Sequence, residues 1–196
     1  MMAAMDFTTS TAGAATGATG PSGPAGSARG PSCAAVRTAR PEEYARIGEL
    51  VARAYLDGGL LDFGEEDPYL TTLRDAAGRA AHAELLVAED GAGTLVGSVT
   101  FVGAQGPYAE RAGEDEGEFR MLAVAESARG RGVGEALVTA CAERARALGL
   151  RGLVLSTHPR MAAAHRLYER LGFTRTPERD WYPIEGMSLW TYGLTL

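Results

Sequence analysis

From Leu122 to Gly134 the chain reads Leu-Ala-Val-Ala-Glu-Ser-Ala-Arg-Gly-Arg-Gly-Val-Gly, an apolar strand-like run that enters a glycine-rich turn. Val133, Leu137, Cys141, Ala145 and Leu148 then recur at helical spacing, and Leu153 to Thr157 is again strand-like. A strand, a tight turn, a helix and a second strand form a β-α-β unit. Its strands, from Glu118 and from Leu153, should lie side by side and parallel with a right-handed crossover.

The turn itself predicts an anion cradle. Glycines at 130, 132 and 134 let the backbone come close to a ligand, and helix N-terminal amides, with about half a positive charge from the helix dipole, would face phosphate oxygens. Arg129 and Arg131 add full charges. The plainer alternative is a tight connection with solvated arginines. Two phosphate-binding patterns are excluded by residue type: Glu135-Ala136 stands where a P-loop requires Lys-Ser/Thr, and the acidic partner of a dinucleotide fingerprint is missing.

The remaining elements complete a mixed α/β reading. A strand from Ala34 to Thr38 precedes Pro41 and a helix through Tyr44, Ile47, Leu50, Val51 and Tyr55. After Pro68 a second helix is predicted through Leu70, Leu73, Ala76 and Ala80. Glu84 to Glu89 and Thr94 to Val102 flank Asp90-Gly91-Ala92-Gly93 and predict an antiparallel hairpin. A helix from about Pro159 to Leu171 is followed by strands near Phe173 and from Met187 to Leu196. Residues 1–32, rich in Ala, Gly, Ser, Thr and Pro with only Asp6 and Arg29 charged, predict a disordered tail before a single domain at 33–196.

Two further patterns agree in order and separation. Arg129-x-x-Gly132-x-Gly134 resembles the acyl-CoA signature R/Q-x-x-G-x-G/A of the GNAT superfamily of N-acetyltransferases. Ala164-His-Arg-Leu-Tyr-Glu-Arg-Leu-Gly-Phe173 resembles the A-x-x-x-Y-E-x-x-G-F segment of the same superfamily. The resemblance implies a mostly antiparallel mixed sheet flanked by helices, with a parallel strand pair splayed at the acyl-CoA site. It implies that Leu122, Ala123 and Val124 offer backbone to a pantetheine arm, and that Arg129, Gly130, Arg131, Gly132, Val133 and Gly134 hold a pyrophosphate. Tyr168 matches the tyrosine near the CoA sulfur. A phenol suits that place, because its pKa near 10 lies above a thiol's of about 8.5, so it protonates a departing thiolate without being ionised itself. As a core aromatic, Tyr168 would only pack.

One position departs from the family: Met161 stands where many members carry Asn, seven residues before the tyrosine, with Ser156 and His158 as candidate substitutes. The base is less marked. An alkylammonium is only about a thousandth neutral at pH 7.4, so some group must take its proton. Glu118 matches the glutamate of the histone-modifying members, though many members rely on water. A carboxylate there needs burial to become basic enough.

Composition bounds the partners. With 19 basic and 25 acidic side chains the net charge is -6, which disfavours nucleic acid and anionic membrane. Cys33 and Cys141 are too few for a disulfide framework and fit the cytoplasm. The histidines have no zinc-like spacing, so no metal is expected. Acids at 62, 65, 66 and 67 and at 110, 114, 115 and 116 suggest attraction for a cationic amine, or simply solvated loops; Trp181, Tyr182 and Trp190 are further candidate pocket walls. The leading expectation is transfer of an acetyl group from acetyl-CoA to a primary amine by direct attack. The alternatives are an acyl-CoA-binding regulatory module with lost turnover, and a protein acting through association, homodimer included.

Overall fold

The computed structural model describes residues 34–103 and 105–196. The predicted tail at 1–32 and Cys33 lie outside the described residues.

The described chain forms β1 (Ala35–Thr38), α1 (Tyr44–Asp57), α2 (Tyr69–Arg74), α3 (Ala76–Ala80), β2 (Glu84–Glu89), β3 (Leu95–Val102), β4 (Glu116–Val124), α4 (Val133–Ala147), β5 (Gly152–Thr157), α5 (Ala162–Arg170), β6 (Thr174–Arg175), β7 (Trp181–Ile184) and β8 (Met187–Thr195). The sheet runs β1-β2-β3-β4-β5-β8-β6, with β7 paired to β8. Every pairing is antiparallel except β4 with β5. The predicted β-α-β unit and the mixed, mostly antiparallel sheet are therefore present.

Each element follows from local chemistry. Pro41 opens the turn into α1, whose Ile47, Val51 and Tyr55 are buried at helical spacing against the sheet. At the β2–β3 hairpin the Asp90 carboxylate accepts the amides of Ala92 (3.0 Å) and Thr94 (2.9 Å), closing the turn. β3 is buried along its whole length, as befits a central strand with helices on both faces.

Three boundaries differ from expectation. The helix predicted from Pro68 to Ala80 is broken at Asp75, whose side chain accepts the Gly78 amide at 2.8 Å and caps a new helix, α3. The helix expected from Pro159 starts at Ala162, because Pro159 to Met161 form a turn closed by Met161 N–H to the His158 carbonyl, 3.0 Å. β7 was not predicted at all; Trp181-Tyr-Pro-Ile is short, lies off the main path of the sheet and carries a proline.

Two features aim the sheet at a site. On β3, a Cβ at Gly97 would lie 2.8 Å from Val133 and 3.0 Å from Leu137, so only glycine lets α4 settle onto the strand. On β4, the register against β3 slips: Ser98 pairs with Ala123 but Thr100 with Arg120, leaving one extra residue in β4. Met121, at φ 51, is the one positive-φ non-glycine among the described residues. This is a β-bulge, which bends the strand away from its neighbour.

Candidate active site

The bend opens a gap. β4 and β5 pair only from Glu116, Gly117 and Glu118 to Gly152, Leu153 and Val154. Beyond that point β4 continues to Val124 and β5 to Thr157 with no ladder between them, so the β4 edge at Leu122, Ala123 and Val124 is left without a strand partner on the β5 side. Backbone groups on such an edge need a hydrogen-bonding partner, and an extended ligand can supply one.

At the end of that edge the chain makes the glycine turn. Gly130 (φ 71) and Gly132 (φ 79) are left-handed, and nothing lies within 4 Å of where a Cβ would be. Left-handed backbone and open space together mark a place where a ligand can approach the main chain. Gly132 is the N-cap of α4 and provides no side-chain acceptor, so the first-turn amides of Val133, Gly134 and Glu135 have no intrahelical partner. These amides face a cavity of about 330 Å³ between α4 and α5, shared by Val124, Gly130, Gly132, Gly134, Arg166 and Arg170. Arg129 and Arg131 lie on other walls: Arg129 faces an open cleft of about 1050 Å³ on the α1 side, and Arg131 a cavity beside the β2–β3 hairpin. Arg166 and Arg170, four residues apart on α5, are thus the cations of this cavity that motif reading missed. Their i, i+4 spacing on an amphipathic helix was the available signal.

Tyr168 sits at the gap on the α4 face of the sheet. It is fully buried, its ring 5.9 Å from those of Phe119, Phe173 and Tyr192. The A-x-x-x-Y-E-x-x-G-F segment has a plain local reason: α5 stops at Arg170, Gly172 (φ 89) turns the chain, and Phe173 N–H returns to the Tyr168 carbonyl at 3.0 Å. Met161, buried beneath, accepts the Thr157 hydroxyl on sulfur at 3.6 Å. Neither candidate substitute for the family Asn is idle: Ser156 accepts the Trp181 indole N–H at 3.0 Å, and His158 Nδ1 accepts the Arg160 amide at 3.1 Å.

The opposite face of the gap is ionic. Glu118 is 1% exposed, and its Oε2 accepts the amides of Glu110 (2.8 Å), Arg111 (2.8 Å) and Ala112 (3.2 Å). Two residues on, Arg120 donates to the Tyr108 carbonyl at 2.9 Å and pairs with the Glu110 carboxylate at 2.9 Å. Glu118 and Arg120 therefore pin the 108–112 loop over the gap. Glu110 thus pairs with a guanidinium while Glu118 rests on three loop amides, and both carboxylates lie in a poorly solvated place. Burial pushes Glu118 above the usual carboxylate range, the charge of Glu110 adding to the rise and the three loop amides opposing it, and pushes Glu110 up to about 7 against the opposing charge of Arg111. Glu110 was seen in the sequence only as one of a run of loop acids.

Among the described residues no cluster of His, Cys, Asp or Glu is placed to hold a metal ion, and no helix is long and apolar enough to cross a membrane. The thiol of buried Cys141 is pushed up by desolvation, which makes it an inert core group.

Comparison with known proteins meets this geometry. A GCN5-related N-acetyltransferase from Kribbella flavida superposes with a TM-score of 0.62 at 26% identity, covering 85% of this chain and all of that one. A phosphinothricin acetyltransferase of the GNAT superfamily from Sinorhizobium meliloti, solved with acetyl-CoA, has the same fold (TM-score 0.62, 20% identity, 84% and 89% covered). In sequence, 85 residues are 36% identical to the N-acetylaspartate synthetase of Danio rerio, spanning 42% of this chain and 30% of that protein. The family model described as acetyltransferase (GNAT) matches residues 45–173, from α1 to the end of the Tyr168 motif, and the chain belongs to that family of acyltransferases.

Proposed function

We propose that this protein is an acetyl-CoA-dependent N-acetyltransferase that acetylates a primary amine by direct attack in a ternary complex. The observation that carries the reading is the gap between β4 and β5, with a phenol on one face, a carboxylate pair on the other, and an amide cradle at its end. The cradle fits a pyrophosphate: open space over Gly130 and Gly132, unpaired helix-start amides, and Arg166 and Arg170 across the cavity. Arg129 and Arg131 add charge at the turn, and Leu122 to Val124 offer backbone to the pantetheine arm.

The two faces divide the proton work. An ammonium brought to the loop side meets Glu110 and Glu118, and one of these buried carboxylates takes a proton and leaves a neutral amine. The free amine forms the new C–N bond as the C–S bond breaks. On the other face the Tyr168 hydroxyl gives the sulfur its proton, and the surplus proton on the acylated nitrogen restores the phenol. Glu118 acts partly through the loop it holds.

Calorimetric titration with CoA, followed by free-thiol release from acetyl-CoA across an amine panel, tests the reading. Micromolar binding with amine-dependent release is expected. Binding without release on any amine would favour the non-catalytic acyl-CoA module, and no binding would end both readings.

A further inference from the structure

Of the four large apolar side chains exposed among the described residues, Leu148 lies apart at the end of α4 and the other three fall on two segments. Phe63 (72% exposed) and Ile184 (52%) line one cavity, and Tyr182 stands on the same short strand as Ile184. The cavity holds about 360 Å³ between the 60–69 loop and the β7–β8 hairpin, with walls from Leu60, Leu61, Phe63, Tyr69, Ile184 and Met187. That is the low end of small-molecule sites, and exposed apolar surface gathered into a concavity marks a binding place.

Its charges have one sign. Asp62 and Asp67 are also on the lining; Asp67 is engaged with the Tyr69 amide at 2.9 Å, whereas Asp62 is exposed at the rim. The buried Arg79 is not among the walls, and its NH1 is held by the Thr72 and Leu73 carbonyls at the end of α2, 2.9 Å each.

Tyr69 joins the cavity to the reaction centre. Its ring lies 6.3 Å from that of Tyr55, and its buried hydroxyl has no hydrogen-bond partner among the described residues. Desolvation pushes that phenol up, with the field of Glu110 adding to the rise and that of Arg79 opposing it, so Tyr69 stays neutral and stands near the Glu110 carboxylate. The inner end of an apolar cavity therefore offers an unused phenol oxygen and, beyond it, the Glu110 carboxylate.

We infer that this cavity receives the apolar body of the acceptor, with its ammonium at the Tyr69 end, so the acceptor class is small primary amines carried on a branched aliphatic or aromatic group. The inference rests on the acetyltransferase reading above. It excludes acceptors that bring a carboxylate, because Asp62, Asp67, Glu110 and Glu118 repel one and no cation lines the walls. Polyamines fit poorly too, since a second ammonium would be desolvated against leucine and phenylalanine.

The test pairs phenethylamine and isoamylamine with ethanolamine, putrescine, phenylalanine and aspartate in thiol-release kinetics. The apolar amines should give the highest kcat/KM, by about 10-fold or more over ethanolamine. The variant F63S/I184S changes only solvent-exposed walls and should fold; its KM for phenethylamine should rise by about 10- to 100-fold while that for ethanolamine stays put. Saturation-transfer NMR of phenethylamine, without CoA, should lose its signal in the same variant. If CoA binds and aspartate, phenylalanine or putrescine is the best acceptor, or if F63S/I184S leaves the phenethylamine KM unchanged, the inference is overturned and the acetyltransferase reading stands. If CoA does not bind, the acetyltransferase reading fails and this inference falls with it.

Discussion

On the α4 side of the β4–β5 gap, what the protein presents to a ligand is main chain: a strand edge, two left-handed glycines and the first amides of a helix. On the α1 side it is side chain on irregular backbone, with Glu110 in a loop, Glu118 and Arg120 reaching out to that loop, and Tyr69 and Phe63 flanking another. Main-chain surfaces recognise what all acyl donors of one kind share, a pyrophosphate and an amide-bearing arm. Side-chain surfaces on loops recognise what differs between acceptors. The contrast predicts that damage on the first side abolishes donor binding, and that damage on the second changes rate, pH response or acceptor choice while donor affinity survives.

Gly132→Asp should break the first side outright. It forces a side chain into left-handed backbone, costing about 1–2 kcal/mol, and sets a negative charge where amides must meet phosphate. CoA affinity measured by calorimetry should fall by at least about 100-fold; unchanged affinity would reject the cradle. Tyr168→Phe keeps the aromatic packing against Phe119, Phe173 and Tyr192 and removes the hydroxyl alone. Single-turnover rates should drop by about 10² to 10⁴, with donor affinity and melting temperature little changed.

Across the gap, Glu110→Gln should slow turnover by about 10²-fold and flatten the acid limb of the pH profile. In the unmodified protein that limb rises through about 7, because the carboxylate pair must be ionised to take a proton and burial raises it. A limb that persists in Glu110→Gln and vanishes in Glu118→Gln would move the base to Glu118. Glu118→Ala should also cost about 1–3 kcal/mol of stability, since three loop amides lose their acceptor.

The smallest effects concern stability against pH and the first residues of the chain. Glu43 is held down at about 2 by the Arg37 guanidinium, so its contribution is present above an ordinary carboxylate's pKa and fades as pH falls toward 2. Glu110 and Glu118 act in the opposite sense. The cost of ionising them is absent below the ordinary value and complete only above the raised one, so stability should decline as pH climbs from about 4.5 through 7. Thermal melts between pH 3 and 8 should thus peak near 4 to 5.5, and a maximum above 7 would contradict both assignments. Deleting residues 1–32 should leave melting temperature and CoA affinity unaltered, because the strands and helices from β1 to β8 all lie within residues 35–195.

The same contrast explains what the sequence revealed. The turn, the parallel pair and the helix carrying Tyr168 were legible because glycine spacing and 3.6-residue periodicity act locally. The loop anchored by Glu118 was not, because its three bonds span six to eight residues of irregular backbone that leave no period. The break at Asp75 was missed because an internal aspartate reads as a solvated helix residue until its carboxylate is seen capping Gly78. Arg166 and Arg170 were passed over since basic residues on an exposed helix face are ordinary, and only the cavity beside α4 gives them a role.

The extra residue at Met121 lengthens β4 without changing which face its side chains take. Before it, Glu118 and Arg120 fall on the α1 face with Ser98 and Thr100 of β3, and Phe119 on the α4 face; after it, Ala123 still faces with Ser98 and Val124 with Gly97. Deleting one residue between Arg120 and Ala123 would make their spacing match that of Thr100 and Ser98 across the ladder, so every side chain of β4 would keep its face while the bulge disappeared. Both walls would survive, and the strand would lose only the bend that parts it from β5. The odd residue thus carries no side-chain message: what it contributes is the opening itself, which no side-chain substitution elsewhere on β4 would restore once it is lost.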